Sequence, residues 1–133
     1  MDKELVPYAA LLLSVVLIYI PRFFVARGQA QQPEGYDNAH PRAQQAKLSG
    51  VAARAHAAHQ NAIEAFAPFA AGVLACKLSG VDADQVAALS MAFVTLRIVY
   101  LLLYLKNLAT PRSIVWILAF LLTLALLALP LFA

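Results

Sequence analysis

Four long apolar runs, separated by three polar breaks, account for almost the whole chain. The runs cover about residues 5–26, 51–79, 83–107 and 111–129. Each matches the roughly 20 apolar residues that a helix needs to cross a bilayer core. The intervening residues supply helix boundaries. The first break, 27–50, is rich in Gly, Pro, Gln and Asn and predicts the single long polar loop. Ser49 precedes the second run as an N-cap candidate, and Gly80 follows it as a stop. Asp82 is placed to cap the third helix, while Thr110 and Pro111 read as N-cap and first residue of the fourth. The two later connections are short, which favours antiparallel neighbours. The expected fold is therefore all-α: a single domain over 1–133 forming an integral membrane four-helix bundle of up-down topology.

Composition strengthens this picture. Hydrophobic residues make up 62% of the 133 positions and charged residues 13%, about half the charged share of a soluble domain. The N-terminal apolar run exceeds the roughly 7–15 residues of a secretion signal's core and is flanked by Asp2 and Glu4, so it reads as a retained membrane helix. A net charge of +3 arises from scattered Lys and Arg, not a basic block, which argues against nucleic acid as a partner. These residues instead report topology. Arg22, Arg27, Arg42, Lys47 and Arg54 surround the first connection and Lys106 and Arg112 flank the third, against Lys3 and Lys77 on the other side. By the positive-inside rule, the first and third connections face the cytoplasm of a bacterial inner membrane and both termini lie outside. The lone Cys76 sits in an apolar run and reads as buried filler.

Against this apolar background, the stretch "RAHAAHQNAIEAFAPF" (54–69) stands out. Arg54, Asn61 and Pro68 recur at sevens, and Glu64 follows Asn61 by three, so they share a helical stripe. The third helix repeats the device with Arg97, Tyr100 and Tyr104. A charge in a membrane helix costs about 2.5–3.5 kcal/mol even on the mildest scale, so Glu64 and Arg97 are expected to face protein or water. The plain alternative is that these two simply pair and glue helices together. His56 and His59 stand at i and i+3, but the ligand count falls short of a metal site and none is expected. Tyr8, Tyr19 and Trp116 read as interfacial or packing aromatics.

The segment "AHQNAIEAFAPF" (58–69) resembles the second-helix signature of the MAPEG family, membrane-associated proteins in eicosanoid and glutathione metabolism. "RIVYLLLYL" (97–105) is similar to that family's third helix, "PRS" (111–113) to the start of its fourth, and "AQQPE" (30–34) to a segment after its first. The resemblance implies a homotrimer that binds glutathione between adjacent subunits at the cytosolic face. Carried over by position, Asn61 and Glu64 hold the peptide's polar ends, with His59 in the polar cap of the motif. Arg97, Tyr100 and Tyr104 line the same site. Arg112, with Ser113 beside it, matches the arginine that activates the thiolate, after allowing one fewer residue behind Pro111. Two positions depart from the pattern: Ala57 and Gln60 stand where many members carry arginine. Arg54, nearly a turn before Ala57, is placed to reach in from the interface, and Arg22 or Arg27 to contribute from the first helix.

Elementary chemistry supports those roles. A thiol with a pKa near 8.5 reacts as thiolate, and a cation at a helix N-terminus raises the reactive fraction. Arginine also forks onto carboxylates, of which glutathione has two. The expected activity is conjugation of glutathione to a lipophilic electrophile drawn from membrane lipid, or reduction of a hydroperoxide. Two other readings compete: a non-catalytic membrane binding or scaffold protein of the same fold, and a small proton-coupled exporter centred on Glu64.

Overall fold

The computed structural model of the protein describes residues 2–133 and is helical, with no strand among them. A 3-10 turn at Lys3–Leu5 leads into α1 (Val6–Tyr19), which continues past a bend as α2 (Arg22–Ala30). A short helix, α3 (Pro41–Gln45), lies within the polar connection. The long helices α4 (Gly50–Leu78), α5 (Ala83–Leu105) and α6 (Ala109–Ala128) follow, and a 3-10 turn at Leu129–Leu131 closes the chain. Four helical segments are long and apolar enough to cross a membrane, with α1 and α2 counting as one.

The first span differs from expectation in two ways. It runs to Ala30, not Ala26, and it bends at Ile20–Pro21. Pro21 has no N–H to donate and its ring crowds the preceding turn. Beyond it, the Phe23 N–H reaches back only to the Ile20 carbonyl, at 3.3 Å.

Local chemistry explains most of the remaining boundaries. Gly80 adopts φ +72°, and the Val81 N–H bonds the Cys76 carbonyl at 3.1 Å, which closes α4. Asp82 caps α5 by accepting from the Gln85 N–H at 3.0 Å. Ser49 occupies the N-cap of α4, although its hydroxyl makes no capping bond. Thr110 is not the N-cap of the last helix. Asn107 takes the left-handed φ of 60°, a conformation that asparagine tolerates better than most residues. The N–H groups of Asn107 and Leu108 then bond the Tyr104 and Leu103 carbonyls, both at 3.0 Å. Because that reversal is complete by Leu108, α6 starts at Ala109 with Leu108 in the capping position. Pro111 falls third in the helix, where its missing N–H belongs to the unpaired first turn anyway.

Close approach between helices depends on small residues. Lipid tails are as apolar as leucine, so helix association in a bilayer rests on packing, not on escape from water. A Cβ at Gly28 would collide with Ala52 of α4, and a Cβ at Gly72 would stand 2.9 Å from the Leu126 Cβ of α6. The core between the long helices is built on Phe69 and Phe93, stacked with centroids 3.9 Å apart, together with Val73, Val86 and Leu126. At one end of the bundle Lys3 pairs with Asp84 at 2.6 Å and Lys77 with Glu4, joining the start of α1 to the end of α4 and the start of α5.

The polar connection is folded around two glutamines. Gln29, fully buried, donates to the Pro41 carbonyl (3.2 Å) and to Gln44 Oε1 (3.1 Å). The Gln44 amide donates to the Gly35 carbonyl at 2.6 Å, and its Oε1 also accepts from the Asp37 N–H at 3.2 Å. Asp37 in turn accepts from the N–H groups of His40 (3.0 Å) and Ala39 (2.8 Å), which hold its carboxyl below the usual carboxylate range. Gln44→Ala removes the hub of this clasp. At roughly 1 kcal/mol for each of the three bonds named here, the segment should open and be cut by protease about a hundredfold faster. Limited proteolysis checks this, and an unchanged rate of cleavage within 31–49 would show that the clasp holds nothing.

Candidate functional site

On α4, Asn61 and Glu64 lie three residues apart and emerge on one side. On α5 the same spacing brings Arg97 and Tyr100 into line, with Tyr104 a turn further. The first turns of α6 supply Arg112, Ser113 and Trp116. Arg97 is buried, 7% exposed, and donates from Nη2 to Asn61 Oδ1 at 3.0 Å. Its guanidinium lies 4.4 Å from the centre of the Tyr100 ring. The Tyr100 and Tyr104 rings meet edge to face at 5.5 Å, and the Arg112 guanidinium sits 4.3 Å from the Tyr104 centroid. Asn61, Arg97, Tyr100, Tyr104 and Arg112 thus form a continuous ladder across the three helices.

Two recesses open along this ladder. One of ≈ 430 Å³ is lined by Tyr100, Tyr104, Arg112 and Ser113, within the range of small-ligand pockets. The other, of ≈ 170 Å³, is lined by Glu64, Pro68, Phe93, Arg97 and Phe120 among others. Asn61 and Trp116 belong to both, so the recesses are neighbours. The arrangement suits a zwitterion. Arg97 has five N–H donors, and Asn61 engages one of them among the described residues. Arg112 adds a second guanidinium at the head of α6, where backbone N–H groups present the positive end of the helix dipole. Glu64, exposed on the rim, offers the single carboxylate.

Other residues singled out from the sequence lie elsewhere or are otherwise engaged. Glu64 and Arg97 form no ion pair among the described residues; the arginine is held by Asn61 and Tyr100 instead. Arg54 is two turns, about 10 Å, up the helix from Asn61. Its guanidinium bonds the Leu105 carbonyl at 3.2 and 3.3 Å and so satisfies the C-terminal end of α5. His59 faces α1, with Nδ1 2.7 Å from the Ile18 carbonyl. A carbonyl can only accept, so Nδ1 carries the proton. Ser113 is in the recess, but its hydroxyl donates within α6 to the Ala109 carbonyl at 3.1 Å. Between α2, α3 and α4, a wider recess of ≈ 720 Å³ gathers Arg22, Arg42, His56, His59 and Gln60.

Trp116 is the contact that sequence reasoning passed over as a packing aromatic. Its spacing of four from Arg112 was the available signal: the two share a face of α6, and Phe120 continues it. The indole and the Phe120 ring stack at 5.5 Å with planes 5° apart. A model described as the MAPEG family matches residues 6–132 of this chain. No curated protein and no solved structure matches it.

Proposed function

Because this chain belongs to the MAPEG family, integral membrane proteins of eicosanoid and glutathione metabolism, we propose that it is a glutathione-dependent transferase or peroxidase acting on lipophilic electrophiles or hydroperoxides. The single observation behind this reading is the convergence of Arg97 and Arg112 beside Asn61 and Glu64, at the junction of two neighbouring recesses. In the proposed chemistry the unspent donors of Arg97 grip a carboxylate of the peptide by forked bonds. Glu64 takes the γ-glutamyl ammonium. The thiol lies toward Arg112 and the head of α6, where positive potential favours loss of its proton to water. The resulting thiolate attacks an acceptor that has entered from lipid.

The proposal extends to the assembly. Antiparallel packing of the four spans, a homotrimer, and a bacterial inner membrane with the site toward the cytoplasm and both termini outside all belong to this reading. A closed ring of copies fits an open groove that one chain leaves uncovered on one side. A scaffold or metabolite-binding role is favoured by one observation: Ala57 and Gln60 remove two cations from the helix bearing Asn61.

Titrating purified protein with glutathione separates the two readings. The enzyme reading expects a saturable rise in thiolate absorbance at neutral pH. Absence of that signal at millimolar glutathione would favour the scaffold.

A further inference from the structure

Only three residues separate the end of α5 at Leu105 from the start of α6 at Ala109, so the last carbonyls of α5 must find partners within a tight reversal. The N–H groups of Lys106, Leu108 and Asn107 take the carbonyls of Leu102, Leu103 and Tyr104, each at 3.0 Å. The Leu105 carbonyl receives no backbone N–H among the described residues. Arg54 of α4 supplies the donors instead, from Nε at 3.3 Å and Nη2 at 3.2 Å. Its cation thereby stands at the negative end of the α5 dipole.

Two observations connect this anchor to the chemistry. Leu105 directly follows Tyr104, the ring over which the Arg112 guanidinium sits at 4.3 Å. The reversal beyond it holds Asn107 at a left-handed φ of 60°, which a residue with a side chain keeps only where its surroundings impose it. Arg54 itself borders neither recess beside Arg97 and Arg112. Resting on the thiolate reading above, we propose that Arg54 is a positioning residue: by pinning the end of α5 to α4, it fixes the turn that carries Tyr104 and Arg112 and so sets the cation against the thiol. Without the anchor the last turn of α5 frays and Arg112 loses its fixed place on the Tyr104 ring. The grip on the peptide survives, since Asn61, Glu64 and Arg97 lie on other turns of α4 and α5. Charge stabilisation at sulfur is what weakens.

Titrating the thiolate absorbance of bound glutathione against pH, with S-methylglutathione as a ligand that has no thiol to ionise, separates positioning from contact. Arg54→Ala should move the midpoint toward alkaline pH. On the acidic limb thiolate should fall about fivefold, the scale of coupling between residues of one network, with the alkaline plateau unchanged. Affinity for S-methylglutathione, read by calorimetry, should change by less than about twofold, as for an independent site. Arg54→Lys keeps a charged donor and should recover most of the loss. In the Arg112→Ala background Arg54→Ala should have almost no further effect, because the group it positions is gone. Should the alanine variant fail to assemble, Arg54→Met keeps the length of the side chain without its donors and reads the same titration. An unmoved midpoint would overturn the inference, all the more if S-methylglutathione binding weakened, the mark of a direct ligand contact. So would an undiminished effect in the Arg112→Ala background. Wild-type protein that binds S-methylglutathione yet forms no thiolate from glutathione sinks the enzymatic reading, and this inference with it.

Discussion

Arg112→Ala should lower glutathione-dependent turnover by about one to one and a half orders of magnitude, the loss expected when the thiolate fraction falls to a few per cent. The argument begins with position. Arg112 lies in the first turn of α6, so its cation and the helix dipole point at the same recess. Its guanidinium is held over Tyr104 at 4.3 Å, which fixes the plane before any ligand arrives. Without it, a thiol with an ordinary pKa near 8.5 is only a few per cent ionised at neutral pH. The α6 N-terminus remains and should leave a residue of activity. Arg112→Lys keeps the charge but loses the planar fork and the stack over the ring, so it should fall between the two. Thiolate absorbance and kcat/KM measured on the same preparations check this, with chromatographic size as the control for assembly. Full turnover by the alanine variant would remove Arg112 from the mechanism.

Gly72→Val should cost the largest share of stability. A Cβ at Gly72 meets the Leu126 Cβ at 2.9 Å and the Leu126 carbonyl carbon and Leu127 nitrogen at 3.3 Å. Backbone atoms cannot rotate aside as a side-chain tip does, so α4 and α6 must separate. Overpacking of this kind costs about 1–3 kcal/mol or more. The same separation would widen the groove that these helices frame, so activity should fall along with the melting temperature. Ala71→Val, on the neighbouring exposed position, is the matched control and should melt like the parent. Thermal unfolding in detergent makes the comparison. Identical melting of the two variants would mean that the close approach at Gly72 is not needed.

The bundle was largely legible before any coordinates. Gly80 and Asp82 mark their helix ends as local chemistry requires, since a left-handed stop and an Asp cap act over three or four residues. Thr110 misled because the reversal is set upstream by Asn107, whose left-handed backbone completes the turn before the threonine is reached. The stripes Asn61/Glu64 and Arg97/Tyr100/Tyr104 were readable for the same reason as the spans: helical periodicity is local. Their partners were not. Arg97 turns to Asn61, Arg54 to the Leu105 carbonyl and His59 to the Ile18 carbonyl, none of which follows from spacing along one helix.

Polarity along the chain therefore decided the membrane class, the spans and which residue types had to be sheltered from lipid, because a bilayer admits only segments that satisfy their own backbone hydrogen bonds. Tertiary structure decided which of those residues meet. Contacts such as Gly72 on Leu126 and Gly28 on Ala52 set how closely α4 approaches α6 and α2. The rotation and offset of packed helices, which no single segment encodes, placed Trp116 between the two recesses and left Arg54 and His59 on other duties.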